Sequence, residues 1–217
     1  MDKTQDSKNY IIGKIVEKKP LVEDVLKMTF EVPVCDFSAP GQFANIRVKG
    51  SDLDGNYNMS EYDSNRFTTV YRVSTDTASK ELALLEVGDE VEVITGLGNG
   101  YDLEKIPNDV LIVADTTGIP QMLGLVKELL MKGKECKLIL GYSSKDKIFM
   151  IDFFRNLCNN IEILTIDGSN GREGRADDAV MNAKYVCASG SIEMLDRLSK
   201  KAEAGQFNVD GTNVVEF

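Results

Sequence analysis

The residues able to do chemistry in this chain are few, and their types already narrow the options. None of the 217 residues is histidine. A Ser-His-Asp triad, a Cys-His pair and a His-ligated zinc site are therefore excluded. Proton transfer is left to carboxylates, Lys, Tyr, Cys or a bound cofactor. The four cysteines, Cys35, Cys136, Cys158 and Cys187, lie far apart, form no CxxC and sit beside apolar residues. They read as small buried hydrophobes in a reducing compartment, since cluster-binding cysteines come closely spaced. What remains are turns and strand ends of the kind that lie against phosphates and rings. They are Gly96-Leu-Gly98-Asn99-Gly100, Ala114-Asp115-Thr116-Thr117-Gly118, Asp167-Gly168-Ser169 and the strand-like Val70-Tyr71-Arg72-Val73. Each has a plain structural alternative. The three glycines suit a tight inter-domain turn. Asp167-Gly168-Ser169 suits a surface turn as well as a ribose contact. Tyr71 and Arg72 suit an ordinary barrel strand with Arg72 in solvent.

The elements that must position these residues fall into two rhythms. From residue 10 to about 100 the pattern is of short strands: Tyr10–Val16, Val25–Val32, Phe43–Val48, Phe67–Val73 and Glu90–Ile94, rich in β-branched and aromatic residues. The polar stretch from Gly50 to Asn65 reads as a loop. Strands at this spacing predict a small antiparallel barrel or sandwich. From about residue 108 strands and helices alternate. Val110–Ala114 is a continuous apolar run, as expected of a strand buried on both faces. Ile119, Met122, Leu123, Val126, Leu129 and Leu130 form one helical stripe that Gly133 ends. Further strands are predicted at 137–141, 161–166 and 185–188, with helices near 147–159 and 191–204. Alternation of this kind implies a parallel, doubly wound sheet. The reading is of two domains, 1–104 and 105–217, meeting near Leu103 to Asn108.

Composition adds exclusions. There are 25 Lys and Arg against 35 Asp and Glu, giving a net charge of −10. That balance argues against a nucleic-acid binder or docking on anionic membranes, and favours solubility or a basic protein partner. The start, Met1-Asp-Lys-Thr-Gln-Asp-Ser, has no apolar signal core, and no stretch is long enough to span a bilayer. A soluble, cytoplasmic protein is expected.

A barrel followed by a half-Rossmann sheet is the order of the ferredoxin-reductase superfamily. Gly41-Gln42-Phe43, Val70-Tyr71-Arg72-Val73, Val87-Gly88-Asp89 and Thr95-Gly96-Leu97-Gly98-Asn99-Gly100-Tyr101-Asp102-Leu103 occur here in order. With Leu138-Ile-Leu-Gly141 and Asp167-Gly168-Ser169-Asn170-Gly171-Arg172-Glu173-Gly174, they resemble the electron-transfer subunit of the NAD-linked dihydroorotate dehydrogenase, an enzyme of pyrimidine biosynthesis. The resemblance covers nearly the whole chain. It implies FAD in the barrel and NAD(P) in the second domain. It also implies an iron–sulfur cluster on a C-terminal cysteine module and a catalytic dehydrogenase subunit as partner.

Four departures stand against that pattern. Where the family has Arg-Pro-x-Ser against the flavin, this chain has Gly55-Asn56-Tyr57-Asn58, losing a charge-assisted anion contact. Where it has Gly-x-Gly-Thr against phosphates, this chain has Thr75-Asp76-Thr77-Ala78. Its Gly-Gly-Gly-x-Gly turn is here Ala114-Asp115-Thr116-Thr117-Gly118, which keeps only Gly118. Asp115 or Thr116 there suits a helix N-cap. A carboxylate about 5 Å from each phosphate costs roughly 3 kcal/mol per pair at an effective dielectric near 20. Its Cys-Gly-Pro is here Ser189-Gly190-Ser191, and no four-cysteine module follows before Asn213-Val-Val-Glu-Phe217. No iron–sulfur cluster, and no metal site, is expected.

The residues carried over as cofactor contacts are Asn56, Tyr57, Asn58, Tyr71, Arg72, Val73, Gly98, Asn99, Gly100, Gly118, Asp167, Gly168, Ser169 and Gly190. No catalytic side chain is assigned, because flavin and nicotinamide would supply the chemistry and the protein the positioning. Two functions follow. One is an NAD(P)H–FAD electron-transfer oxidoreductase subunit without the cluster module. The other is a homologue that keeps the fold, no longer holds FAD or NAD in the family's way, and acts as a binding or regulatory protein.

Overall fold

The computed structural model describes residues 9–74, 77–116, 118–205 and 208–210. The first element is a closed antiparallel barrel. Its strands are β1 (Ile11–Val22), β2 (Val25–Glu31), β3 (Phe43–Val48), β4 (Asp54–Tyr62), β5 (Arg66–Arg72) and β6 (Glu90–Leu97). They run in the order β1-β2-β5-β4-β3-β6, and β6 returns to β1. Ile15, Met28, Phe30, Ala44, Ile46, Met59, Phe67, Val91 and Val93 fill the interior. Phe30 stacks on Phe67 with ring centroids 5.0 Å apart.

The segment expected to be a loop, residues 50–65, instead contains β4, and the barrel closes through it. The reason for the difference lies in packing. Tyr57, Asn58, Met59 and Ser60 are buried in succession, so the strand shows no alternation of polar and apolar residues. One face looks into the barrel, and the other is covered by helix α2, introduced below. A short helix, α1 (Thr77–Leu84), follows β5. Thr75 and Asp76 of the motif singled out above lie outside the described residues.

The second element is a parallel sheet. Its strands are β7 (Val110–Asp115), β8 (Cys136–Tyr142), β9 (Ile161–Thr165), β10 (Arg172–Glu173), β11 (Tyr185–Ser189) and β12 (Asn208–Asp210). The order is β10-β9-β8-β7-β11-β12. The crossover helices are α2 (Ile119–Met131), α3 (Ile151–Arg155) and α4 (Ile192–Glu203). The helix expected over 147–159 is reduced to a 3-10 turn at Lys145–Lys147 and the short α3. Met150 separates them in a left-handed conformation, φ 61°. Of the cysteines, Cys136 and Cys187 are buried as expected, whereas Cys35 and Cys158 are half-buried. Burial pushes the Cys35 and Cys136 thiols up to about 12, so both stay protonated at neutral pH.

The barrel and the sheet are joined by buried polar contacts. Gln121 of α2 donates its amide to the Gly41 carbonyl at 2.8 Å and accepts from the Ser189 hydroxyl at 2.6 Å. The Tyr101 hydroxyl donates to the Ala188 carbonyl at 3.0 Å. Helix α2 approaches β4 at Gly124, where a Cβ would lie 3.1 Å from the Ser60 carbonyl oxygen. Lys127 of α2 pairs with Glu61 of β4. No helix among the described residues is long and apolar enough to cross a membrane.

Candidate functional site

Strands β4 and β5 run side by side, and their shared outer end meets the sheet. There they frame a cavity of about 410 Å³, within the range of small-molecule sites. Five of the residues singled out from the sequence line it together: Asn56, Tyr57, Asn58, Tyr71 and Arg72. Thr77, Ala78 and Ser79 at the start of α1 form one end, and Thr116, Pro120 and Phe149 from the sheet form the opposite wall.

The lining is mostly aromatic and apolar, and each polar group has a traceable role. Tyr57 and Tyr71 pack edge to face, with centroids 5.0 Å apart. The Tyr57 ring folds back over Gly55. A Cβ there would lie 2.8 Å from that ring, so the ring holds its place because residue 55 has no side chain. The Tyr71 hydroxyl donates to the Met28 sulfur at 3.2 Å, and burial pushes its pKa up. It is thus a fixed neutral wall. Asn56 is held from behind, its side-chain oxygen accepting from Asn45 at 2.8 Å. Asn58 is different. It is buried, and its Oδ1 has no hydrogen-bond partner among the described residues. A buried acceptor left unpaired costs about 1–3 kcal/mol.

Arg72 stands at the rim, 40% exposed, with Nε 3.2 Å from Asp24. Asp24 lies in the turn between β1 and β2 and also accepts from Lys147 at 3.1 Å. Burial tends to raise the Asp24 carboxyl, but the Lys147 hydrogen bond and the two flanking cations outweigh it and hold the group below its ordinary range. Hydrogen bonding to Asp24 in turn raises Lys147. Val73 extends this rim, its amide donating to the Asp24 carbonyl at 2.8 Å.

The other residues singled out lie elsewhere. Gly98, Asn99 and Gly100 belong to the junction between barrel and sheet. Gly96, Gly98 and Gly100 all have positive φ, at 70°, 79° and 68°, where a side chain is strained. A Cβ at Gly96 would lie 2.4 Å from the Asp36 carbonyl oxygen, and one at Gly100 would lie 2.6 Å from Ala39 Cβ. Gln42 ties this junction. Its side-chain NH2 donates to the Gly96 and Gly98 carbonyls at 3.0 and 2.9 Å. Its oxygen accepts from the Ser38 and Ala39 amides at 2.7 and 3.1 Å. Asp167, Gly168 and Ser169 form an exposed turn after β9. The Asp167 Oδ1 accepts from the Ser169 amide and hydroxyl at 3.0 and 2.6 Å, and these bonds lower the Asp167 pKa. The Ser169 hydroxyl accepts from the Lys145 amide at 2.7 Å.

Gly118 and Gly190 face each other where β7 and β11 end. A Cβ at Gly118 would lie 2.0 Å from the Ser189 carbonyl, and one at Gly190 would lie 2.3 Å from the Asp115 Oδ1. Both glycines are thus demanded by close backbone packing. Asp115 is not the cap of α2, as the sequence suggested. The α2 cap is Gly118, which has no side-chain capping bond. The Asp115 carboxylate instead accepts from the Ser191 amide at 2.8 Å and from the Ser191 hydroxyl. The difference follows from strand order, because β11 pairs directly with β7 and brings the start of α4 beside it.

Comparison with known proteins fits this architecture. No family model matches the chain. The electron transfer subunit of dihydroorotate dehydrogenase B (NAD(+)) from Shouchella clausii is 32% identical over 201 residues, covering 86% of this chain and 76% of that protein. The chain belongs to this family. The subunit of the same name from Fusobacterium nucleatum is 31% identical over 174 residues, 76% of this chain and 66% of that one. That from Clostridium perfringens is 27% identical over 202 residues, 92% of this chain and 81% of that one. Among solved structures, an NADH-dependent reduced ferredoxin-NADP oxidoreductase superposes with a TM-score of 0.80 at 25% identity, over 91% of this chain and 74% of that one. Phthalate dioxygenase reductase shares the fold, with a TM-score of 0.77 at 16% identity, over 96% of this chain and 70% of that one.

Some site residues carried no signal in the sequence. Val25, Pro120 and Phe149 line the cavity from three separate elements, and only the packing of sheet on barrel brings them together. Gln42 stood inside a recognised motif, but its role as a four-way tie rests on loops 54 to 56 residues further along the chain.

Proposed function

We propose that this chain is an electron-transfer subunit of the dihydroorotate dehydrogenase B type, working beside a catalytic dehydrogenase subunit. In this reading the cavity between β4, β5, α1 and the sheet holds the ring system of a flavin. The observation that supports it best is the cavity of about 410 Å³ walled by Tyr57, Tyr71 and Phe149, in a chain of this family. Aromatic and apolar walls of that kind suit a planar ring system. A flavin, when bound, supplies exchange of one or two electrons.

The chain's own residues supply the rest. Tyr57 and Tyr71 form a rigid floor, since each has an apolar body and the Tyr71 hydroxyl is engaged behind it. Pro120 and Phe149 exclude water from the opposite side, and Val25 does so beside Arg72. Arg72, oriented by Asp24, offers the rim a cation for the phosphate chain. Thr77 offers a hydroxyl at the cavity's end, beside the Ser79 hydroxyl that accepts from the Ser74 amide at 3.1 Å. Asn56 is braced by Asn45 and sets the edge of the ring slot.

The test is a visible absorption spectrum of the purified protein, followed by titration with FAD. A flavin band at one equivalent, with quenched flavin fluorescence, is the expected result. Arg72→Met keeps a side chain of similar length, removes the rim cation, and should weaken FAD by about tenfold. A colourless protein that takes up neither FAD nor FMN would overturn the reading.

A further inference from the structure

In open parallel sheets, nucleotides bind outside the carboxyl ends of the strands, where the strand order reverses. Here that point lies between β7 and β11, on either side of which the sequence runs in opposite directions across the sheet. The pyrophosphate of a dinucleotide would need the helix starts that flank this crevice, α2 and α4, and their free N–H groups. The NAD(P) implied by the family does not fit these residues. Asp115, the last residue of β7, places a carboxylate in the crevice and takes the Ser191 amide at 2.8 Å. It also takes the Ser191 hydroxyl. That hydroxyl in turn accepts from the Met194 amide at 3.3 Å, capping α4. On the α2 side, Pro120 occupies the first turn and has no N–H to give.

We infer that the nucleotide crevice of the sheet is shut from within. Asp115 acts there as a built-in anion, and the chain does not bind NAD(H) or NADP(H) at this position. A dinucleotide would have to displace a bonded carboxylate and place its own negative charges where that carboxylate stands. Electrons would then enter or leave through a protein partner instead of a nicotinamide bound on this sheet. The crevice borders the flavin cavity at Pro120, but Asp115 and Ser191 do not line that cavity, so the failure of this inference and the failure of the flavin reading are told apart by separate titrations.

The experiment is calorimetric titration of the whole protein with NADH and with NADPH, beside an FAD titration of the same preparation. The wild type is expected to show no binding up to about 1 mM nucleotide, the upper end of ordinary substrate affinities. Asp115→Asn keeps an acceptor for the Ser191 amide and removes the charge. It should gain nucleotide affinity by about tenfold or more over the wild-type limit. Asp115→Gly, which restores an open turn, should do the same and serves if the asparagine variant does not fold. Ser191→Ala leaves the charge in place and should gain nothing. Saturable wild-type binding below about 100 µM would overturn the inference. So would silence of both Asp115 variants when circular dichroism shows them folded.

Discussion

Gln42 shows how one side chain can account for several sequence motifs at once. Its amide satisfies two carbonyls of the Gly96–Gly98 loop and two amides of the Ser38–Ala39 loop. The positive φ values at Gly96, Gly98 and Gly100 let that loop turn within its reach. The two motifs that made the family recognisable therefore meet as a structural knot. Gln42→Ala should destabilise the protein by about 2 kcal/mol, through polar groups left unpaired. Urea unfolding is the measurement. Asn99→Ala, exposed within the same loop, should change stability by under about 0.5 kcal/mol. Equal effects at the two positions would contradict the knot. In the sequence the glycines were legible as needed for either a turn or a phosphate. The packing that demands a turn there comes from Asp36, Ala39 and Pro40, whose proximity no local pattern announces.

At the scale of elements, legibility tracked how many faces each element buries. Val110–Ala114 and the stripe on α2 were readable because continuous burial and 3.6-residue periodicity leave plain patterns. β4 was not, because both of its faces are covered and the residues covering the cavity side are polar. The start of α4 was readable as Ser191, and the structure gives that residue two tasks. It caps the helix through Met194, and it holds Asp115. Ser191→Ala should cost about 1 kcal/mol or more, the usual worth of an N-cap, and thermal unfolding would show it. A variant as stable as the wild type would mean that neither the cap nor the hydroxyl bond to Asp115 contributes to stability. The candidate cavity was half legible. Its floor came from residues that the sequence singled out, on one strand it marked and on one it took for a loop, and its other walls came from β2, from α2 and from the segment before α3.

The whole molecule is held as one piece by contacts from barrel to sheet, and one of them responds to pH. Lys147 reaches from the sheet to Asp24 on the barrel, beside Arg72. Because the folded Asp24 carboxyl titrates below its ordinary value, the bridge is in full force above the unfolded pKa of about 3.9. It is lost as pH falls from there through the folded value. The stability gap between wild type and Asp24→Asn should therefore be clear at neutral pH and shrink towards pH 3. Urea midpoints at the two pH values measure it, and a gap that does not change with pH would show that the bridge is electrostatically idle. The barrel has a further consequence for the life of the chain. β1 closes the barrel only by pairing with β6, Ile11 against Val93, so a ribosome must release most of the first hundred residues before any closed unit exists. Pairings so distant in sequence form slowly. During that interval β1 offers an unpaired edge to whatever chain lies nearby. The lysines along it, Lys14, Lys18 and Lys19, are then a safeguard of the nascent chain as much as an ornament of the finished surface.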